Sequence, residues 1–283
     1  MILLIAATAY VEADSSDRDP GANQDTQRRA EVSRVAEAEV RLLTVTVGRD
    51  RAVTAVVRPE SLLRWSNPTV AAAYGEVFVW TVAGRPVALG CVYHAYDRPW
   101  GWILELVSTS ERPVGASAER KTLWNTESAG VTFKLLEDAP PPSPKPAGRL
   151  SQMRKLAGRF SAEMIDERNG DEEKRSLRLL THPVYRYSSD EEHVVDGSVF
   201  CFAEATDPEI WLLLEAVEED GATSWRYGLA RMNGSPMQVR FDGTTVHTWD
   251  KVEKPWANRS APYVLCDVSP DIVKSETKTK GGD

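Results

Sequence analysis

A proline-rich segment in the middle of the chain restricts the possible folds of this sequence more than any other feature. Residues 138–148 read DAPPPSPKPAG, with five prolines in eleven residues. Proline fixes φ and lacks the backbone N–H that a sheet or a helix interior requires, so this segment is predicted to be extended and exposed. We therefore expect a boundary between two globular parts here.

A chain of 283 residues is long enough for two ordinary domains, since single domains cluster at roughly 100–150 residues. We predict a mainly β (α+β) fold of two consecutive antiparallel β lobes, with one amphipathic helix after a proline-rich linker. The predicted parts are a signal-like segment with a disordered spacer (1–25), an N-terminal β lobe (26–137), the linker (138–148), a C-terminal β lobe with a leading helix (149–268) and a disordered tail (269–283).

The N-terminal lobe has the pattern of a meander of strands. Two β-branched runs at 42–48 and 52–57 are separated by a Gly-Arg-Asp turn, and two longer apolar runs within 75–96 are joined by Ala-Gly-Arg-Pro. Both arrangements are typical of β-hairpins. The apolar segments 100–107 and 130–136 are predicted to supply further strands.

Two segments have the spacing of helices. Between 26 and 43, alanines and valines recur among alternating charges, which predicts a surface helix. After the linker, five apolar residues recur every three or four positions and are expected to form one stripe that packs on the second sheet, while the neighbouring basic residues point away. The stripe consists of Leu150, Met153, Ala157, Phe160 and Met164.

The C-terminal lobe contains apolar runs of strand length separated by turn residues. The last two are joined by Asp242-Gly243, a strong hairpin signal. The predicted strands are 194–205, 209–219, 224–232, 237–241 and 244–249.

The two lobes share a short motif. GEVFVW (75–80) and GSVFCF (197–202) both read Gly-x-Val-Phe-x-aromatic, and a tryptophan follows each at a similar distance, at Trp102 and Trp225. A duplicated β unit would explain the match and would place the two motifs on matching strands. The alternative is coincidence, because antiparallel strands draw on the same Val, Phe and Trp residues.

Charge and hydropathy narrow the classes of partner. A net charge of -8 and a pI near 5.2 argue against nucleic acid, which requires a concentrated basic surface. No run approaches the roughly 20 apolar residues of a membrane-spanning helix, so the mature chain is expected to have no membrane span. The partner class left open is a protein or a glycan.

The N-terminus resembles a secretion signal. An apolar run from Ile2 to Ala7 is followed by Ala7-Thr8-Ala9, which fits the small-x-small pattern of signal peptidase sites, although no basic residue precedes Arg18. We therefore expect export, to the periplasm or the exterior of a bacterial cell. The alternative is a buried N-terminal strand in a cytoplasmic protein.

Motifs that carry chemistry are missing from the sequence. Cys91, Cys201 and Cys266 have no CxxC or Cys/His ligand spacing, and the four histidines lack metal-site spacing. No nucleophile elbow, P-loop or dinucleotide fingerprint is present. The sequence thus predicts no catalytic residue, no metal ligand and no cofactor.

Five residues remain as candidates for a ligand site. His94 and Asp97 have the chemistry of an acid/base pair at a strand end, and Trp100 and Trp102 would share one strand face, as in a sugar-stacking platform. His193 lies in the acidic run SSDEEH, whose oxygens would suit a cation. The simpler alternatives are that Trp102 packs in the core, that Trp100 anchors a loop, and that SSDEEH is an acidic turn exposed to solvent.

Several segments resemble an uncharacterised family of bacterial hypothetical proteins with no known activity. The resemblance spans most of 60–250 and implies that both lobes and the linker belong together; it implies no functional residue. GRPVALGCVY (84–93) is separately similar to the opening hairpin of flavin-binding split barrels. The segments that carry the family resemblance are 64–80, 149–160, 177–187, 196–216 and 225–232.

The function expected from these observations is binding. We predict a non-catalytic, exported or cell-envelope, β-rich protein that binds a partner or ligand. The alternative is an enzyme, either a flavin-type split barrel or a hydrolase whose catalytic residues are dispersed in sequence.

Overall fold

A computed structural model describes residues 20–68, 71–119, 121–167, 172–269 and 271–273 of the chain. The fold is mainly β, as predicted, with several antiparallel sheets and few helices. The helices are α1 (Pro20–Leu42) and α2 (Pro146–Ala157). The strands are β1 (Leu43–Val47), β2 (Val53–Thr54), β3 (Val56–Val57), β4 (Leu63–Asn67), β5 (Ala73–Val82), β6 (Arg85–Ala95), β7 (Trp102–Ser108), β8 (Val114–Ala118), β9 (Lys121–Asn125), β10 (Lys134–Leu135), β11 (Phe160–Asp166), β12 (Glu173–Leu179), β13 (Tyr185–Ser189), β14 (Val194–Glu204), β15 (Asp207–Glu219), β16 (Ala222–Arg231), β17 (Met237–Phe241), β18 (Thr244–Trp249) and β19 (Tyr263–Asp267).

The described strands form three sheets. The first has the order β2-β1-β8-β9. The second has the order β19-β7-β6-β5-β3, with β4 also paired to β5. The third has the order β10-β16-β15-β14-β12-β11-β17-β18, with β13 also paired to β14.

The layers follow from the alternation of side chains along the long strands. Val77 on β5 and Val199 on β14 belong to one central core between the second and third sheets. Phe78 faces the opposite side, into a core with α1 and the first sheet, and Phe200 faces a core with α2, β11 and β17. Because successive side chains of a strand point to opposite faces, β5 and β14 each contribute to two cores and are buried on both faces.

The two halves of the chain have the same strand order, which confirms the prediction that the two Gly-x-Val-Phe motifs lie on matching strands. In the first half (20–125) β4 pairs with β5, β5 with β6 and β6 with β7; in the second half (146–249) β13, β14, β15 and β16 pair in the same way. Likewise, β1 pairs with β8 and β8 with β9, as β11 pairs with β17 and β17 with β18.

The two halves also exchange their last strands. β10, which follows the first half in the chain, pairs with β16 of the second half, whereas β19, which follows the second half, pairs with β7 of the first half. The predicted ranges 26–137 and 149–268 therefore do not separate the sheets, because each range contributes one strand to the other half. Each exchanged strand covers an otherwise open edge, which removes unpaired backbone groups.

The helix after the linker is shorter than predicted. It ends at Ala157 with Gly158 as its C-cap, and Phe160 and Met164 lie on β11, where they alternate with more exposed neighbours. Apolar residues recur every three or four positions before Gly158 and every second position after it. In the sequence these two patterns merge into one apparent helical stripe, which is why the helix was predicted to be longer. Arg149 was expected to point away, but it is buried and forms an ion pair with Asp196.

Four further expectations need correction or lie outside the described chain. The spacer was predicted to extend to residue 25, but α1 begins at Pro20. The run 130–136 contributes only the two residues of β10. The tail was predicted to be disordered from residue 269, but residues 271–273 form a helical turn in which Ile272 and Val273 pack against the core with α1. The signal-like segment (1–19) and residues 274–283 lie outside the described residues.

The proline-rich segment lies outside all three sheets, between β10 and α2. Its prolines are largely exposed, while five of its carbonyl groups accept hydrogen bonds from side chains of the second half. Among these, Trp225 Nε1 donates to Pro140 at 3.0 Å, and Gln152 Nε2 donates to Pro141 at 2.8 Å. Pro146 then occupies the first turn of α2, where no backbone donor is needed.

The repeated glycines have a packing role that can be tested. A Cβ atom on Gly75 would lie 2.4 Å from a ring carbon of Trp65, and one on Gly197 would lie 2.5 Å from a ring carbon of Tyr187. We predict that Gly75→Ala and Gly197→Ala each lower the free energy of unfolding by about 1–3 kcal/mol in a denaturant titration. The control Gly158→Ala, whose nearest contacts would be 3.5 Å away, should change it far less. Equal effects at all three glycines would contradict this packing role.

Candidate functional site

A cleft opens at one end of the central core, where the first half meets the start of β15. We call the deep part of it, a cavity of about 250 Å³, the inner cleft. Aromatic rings form its walls, and carboxyl groups lie among them. The residues used below are Trp65, Tyr93, Glu105, Asp207, Glu209 and Tyr263.

The inner cleft continues into a shallower outer groove of about 410 Å³. Tyr93, Trp100 and Leu265 line both, so the two spaces are adjacent. Trp100 and Trp256 are the most exposed aromatic side chains on the groove, with 50% and 59% of their surfaces accessible. Two accessible indole rings thus lie on the groove that adjoins the inner cleft.

Glu105 is a charged residue inside an apolar strand. Leu104 and Leu106 on β7 face the core with α1, so the alternate residue Glu105 faces the central core side. Its Oε1 atom accepts a hydrogen bond from the Tyr263 hydroxyl. Burial raises the pKa of Glu105 to about 8, and the nearby charge of Asp207 contributes to the rise. Glu105 is therefore protonated at neutral pH in the free protein.

A second buried carboxyl belongs to Glu209, which is only 2% exposed. Its pKa lies well above the usual range because it is buried and because Asp207 and Glu204 are negative neighbours. The amide of Asn67 donates to Asp207 Oδ2 at 3.2 Å. Burial and nearby negative charge both favour the protonated form of a carboxyl group.

The nearest buried cation is already engaged elsewhere. Arg231 donates through Nε to the Asn233 carbonyl at 2.7 Å, through Nη1 to the Asp250 carbonyl at 2.9 Å and through Nη2 to the Ser235 carbonyl at 2.8 Å. Within the ranges that the structure describes, no lysine or arginine forms an ion pair with Glu105 or Glu209. Neither carboxyl therefore has an ion pair at contact distance among these residues, although the charge of Arg231 acts on Glu105 and opposes the rise of its pKa.

The aromatic wall is held in place by packing. The rings of Trp65 and Tyr93 lie 5.7 Å apart between centroids, at an angle of 49°. The indole N–H of Trp65 points at Cys91 Sγ, 3.2 Å away, and the ring packs over Gly75. An aromatic wall of this kind suits a flat or positively charged group.

The structure places the predicted site residues apart from one another. Trp100 lines the cleft, whereas His94 stacks on Trp102 with centroids 4.7 Å apart, and its Nδ1 lies 2.8 Å from the Gly101 carbonyl. Asp97 accepts the backbone N–H of Ala72, so it does not face His94 as an acid/base partner would. His193 lies in the β13–β14 turn of the other half, beside a shallow acidic depression.

Sequence reasoning missed most of the cleft. Glu105 in WILELV and Glu209 in DPEIWLL were visible as carboxyls inside apolar strands, at positions where a buried charge needs a reason. Tyr263 could not be identified as a cleft residue from the sequence, because its contact with Glu105 depends on the pairing of β19 with β7.

Comparison of the chain with protein-family models, with curated proteins and with solved structures returned no match. Within the described ranges, no group of three or more His, Cys, Asp or Glu side chains has the arrangement of a metal site. Of the helices in these ranges, neither is long and apolar enough to cross a membrane. The chemistry of the cleft therefore carries the functional inference.

The proton on Glu105 links stability to pH. The folded state keeps this proton up to about pH 8, whereas an unfolded glutamate loses it near 4.5, so stability falls as pH rises through this window. Glu105→Gln keeps an acceptor for Tyr263 and cannot ionise. We predict that the melting temperature of Glu105→Gln, relative to wild type, is higher at pH 8.5 than at pH 5. Exposed Glu127→Gln should show no such change, and a constant difference for Glu105→Gln would contradict the assignment.

Proposed function

We propose that this protein is a binding protein whose inner cleft takes the positively charged group of a small organic ligand. The observation that carries the proposal is the pair of buried carboxyls, Glu105 and Glu209, without an ion-pair partner among the described residues and next to the rings of Trp65 and Tyr93. Such a combination of acidic groups and aromatic faces is chemically complementary to an organic cation.

The energetics favour a cation over a neutral ligand. In the free protein the raised pKa of Glu105 keeps its carboxyl neutral, which avoids an uncompensated buried charge. A cation in the inner cleft would stabilise the ionised carboxylate, and the proton would leave for solvent. Binding of the cation and loss of the proton are therefore linked.

The shape of the cleft favours a ligand with a charged head and an apolar or aromatic remainder. A cavity of about 250 Å³ is small for a whole ligand of ordinary size, but it suffices for a head group. The rest of the ligand would lie in the outer groove against Trp100 and Trp256. Export from the cell stays a prediction that rests on the apolar N-terminal run.

A second candidate function is hydrolysis. A carboxylic acid with a pKa of about 8 in a cleft has the protonation state of a general acid at neutral pH, and paired carboxyls are the equipment of glycoside hydrolysis. Release of p-nitrophenol from p-nitrophenyl glycosides, lost in Glu105→Gln, would favour this function over simple binding.

The binding proposal is tested with 2-phenylethylamine and its neutral analogue 2-phenylethanol, titrated by calorimetry. We predict that the amine binds and the alcohol does not. Because the proton on Glu105 competes with the cation, the affinity should fall by roughly tenfold per pH unit below about pH 8.

Two variants separate a direct role of Glu105 from a structural one. Glu105→Gln should bind the amine at least tenfold more weakly and lose the pH dependence, whereas the exposed control Glu127→Gln should behave like wild type. Equal binding of the alcohol and the amine, or an unchanged pH profile in Glu105→Gln, would refute the proposal.

A further inference from the structure

The duplicated fold contains a second position equivalent to the inner cleft, and there the site is filled. The correspondence follows from strand register. Arg85 opens β6 opposite Val82, and Asp207 opens β15 opposite Glu204. A proline follows each of them, and the register of both hairpins shifts at the same place, immediately after that proline. Arg85 and Asp207 are therefore the same position of the repeat.

The surrounding positions correspond as well. Trp65 on β4 lies opposite Gly75, as Tyr187 on β13 lies opposite Gly197. Along the next strand, Tyr93 is opposite Gly75 and Glu215 is opposite Gly197. The wall of the inner cleft thus matches the surroundings of Arg85 strand by strand.

In the filled position, the guanidinium of Arg85 crosses from the first half to a carboxylate of the second. Its Nε donates to Glu215 Oε1 at 2.8 Å and its Nη2 donates to Glu215 Oε2 at 3.2 Å. Glu111 adds a contact at 3.1 Å, and the guanidinium carbon lies 4.7 Å from the centre of the Phe133 ring. The protein thereby satisfies a buried guanidinium with a two-point carboxylate contact and an aromatic face.

In the inner cleft, the residue equivalent to Arg85 is Asp207, whose side chain is acidic and short. Asp207 leaves open the space that a long arginine side chain fills in the other half, and it adds negative charge. One strand further, the position of Gly228 in the second half is held by Glu105 in the first. The inner cleft therefore has aromatic and acidic surroundings, but the position equivalent to Arg85 supplies no guanidinium. The neighbouring Arg231 directs its N–H groups to backbone carbonyls.

We propose that the charged group bound in the inner cleft is a guanidinium, which takes the place that Arg85 has in the other half. This inference rests on the proposed cation-binding function and narrows its ligand class. A guanidinium is planar, offers paired N–H donors to a carboxylate and stacks on aromatic rings, whereas an ammonium is a compact, strongly hydrated charge. The walls formed by Trp65 and Tyr93 and the carboxyl of Glu105 suit the planar group.

A guanidinium can come from a free small molecule or from the arginine side chain of a peptide. The small molecule and the peptide would present the same guanidinium group to the cleft. Each is therefore tested separately, in comparison with an analogue that carries an ammonium group instead. Agmatine is compared with putrescine, and the peptide acetyl-Gly-Arg-Gly-amide with acetyl-Gly-Lys-Gly-amide, by calorimetric titration of the wild-type protein at pH 8.5.

We predict that the guanidinium member of at least one pair binds at least tenfold more tightly than its ammonium analogue. The pair that shows this preference identifies the source of the group. Ammonium ligands that bind equally well or better would overturn the guanidinium assignment and leave the cation-binding function intact. No binding by any of the four ligands, together with none by 2-phenylethylamine, would overturn both.

Discussion

The structure depends on the packing of two sheets, β5–β7 from the first half and β14–β16 from the second, across one central core. Val77, Leu89, Trp211 and Leu213 are completely buried there. Burying a side chain of this size stabilises the fold by roughly 1.5–3 kcal/mol, so the interface between the halves is a main source of stability. The exchange of β10 and β19 then joins the halves along their edges.

Two groups of buried charged side chains lie beside this central core, and their charges are balanced in different ways. In the first group, Glu215 forms ion pairs with Arg85 and Arg226. In the second group, Glu105 and Glu209 lack such partners among the described residues, and their pKa values are raised. The first arrangement is complete within the chain, whereas for the second we propose that a cation from outside supplies the missing charge.

The sequence predicted the fold class, the main hairpins and the matching of the two Gly-x-Val-Phe motifs, because these depend on local alternation and on turn residues. It did not predict where α2 ends, since the apolar spacing on both sides of Gly158 reads as one stripe. The exchange of β10 and β19 is a long-range event with no local signal. The cleft was largely missed for the same reason, because it unites β7, β15 and β19. Trp100 was identified, since an exposed tryptophan near a turn is visible in sequence.

The most direct test of the account is to give the inner cleft the arginine that its counterpart has. In Asp207→Arg, the new side chain starts from the position equivalent to Arg85 and should reach the carboxyls of the inner cleft. Asp207→Asn is the control for simple loss of the aspartate charge. At pH 8.5, where Glu105 is largely ionised, the account predicts a higher melting temperature for Asp207→Arg than for Asp207→Asn, because a guanidinium would pair with Glu105. A melting temperature of Asp207→Arg equal to or below that of Asp207→Asn would contradict it.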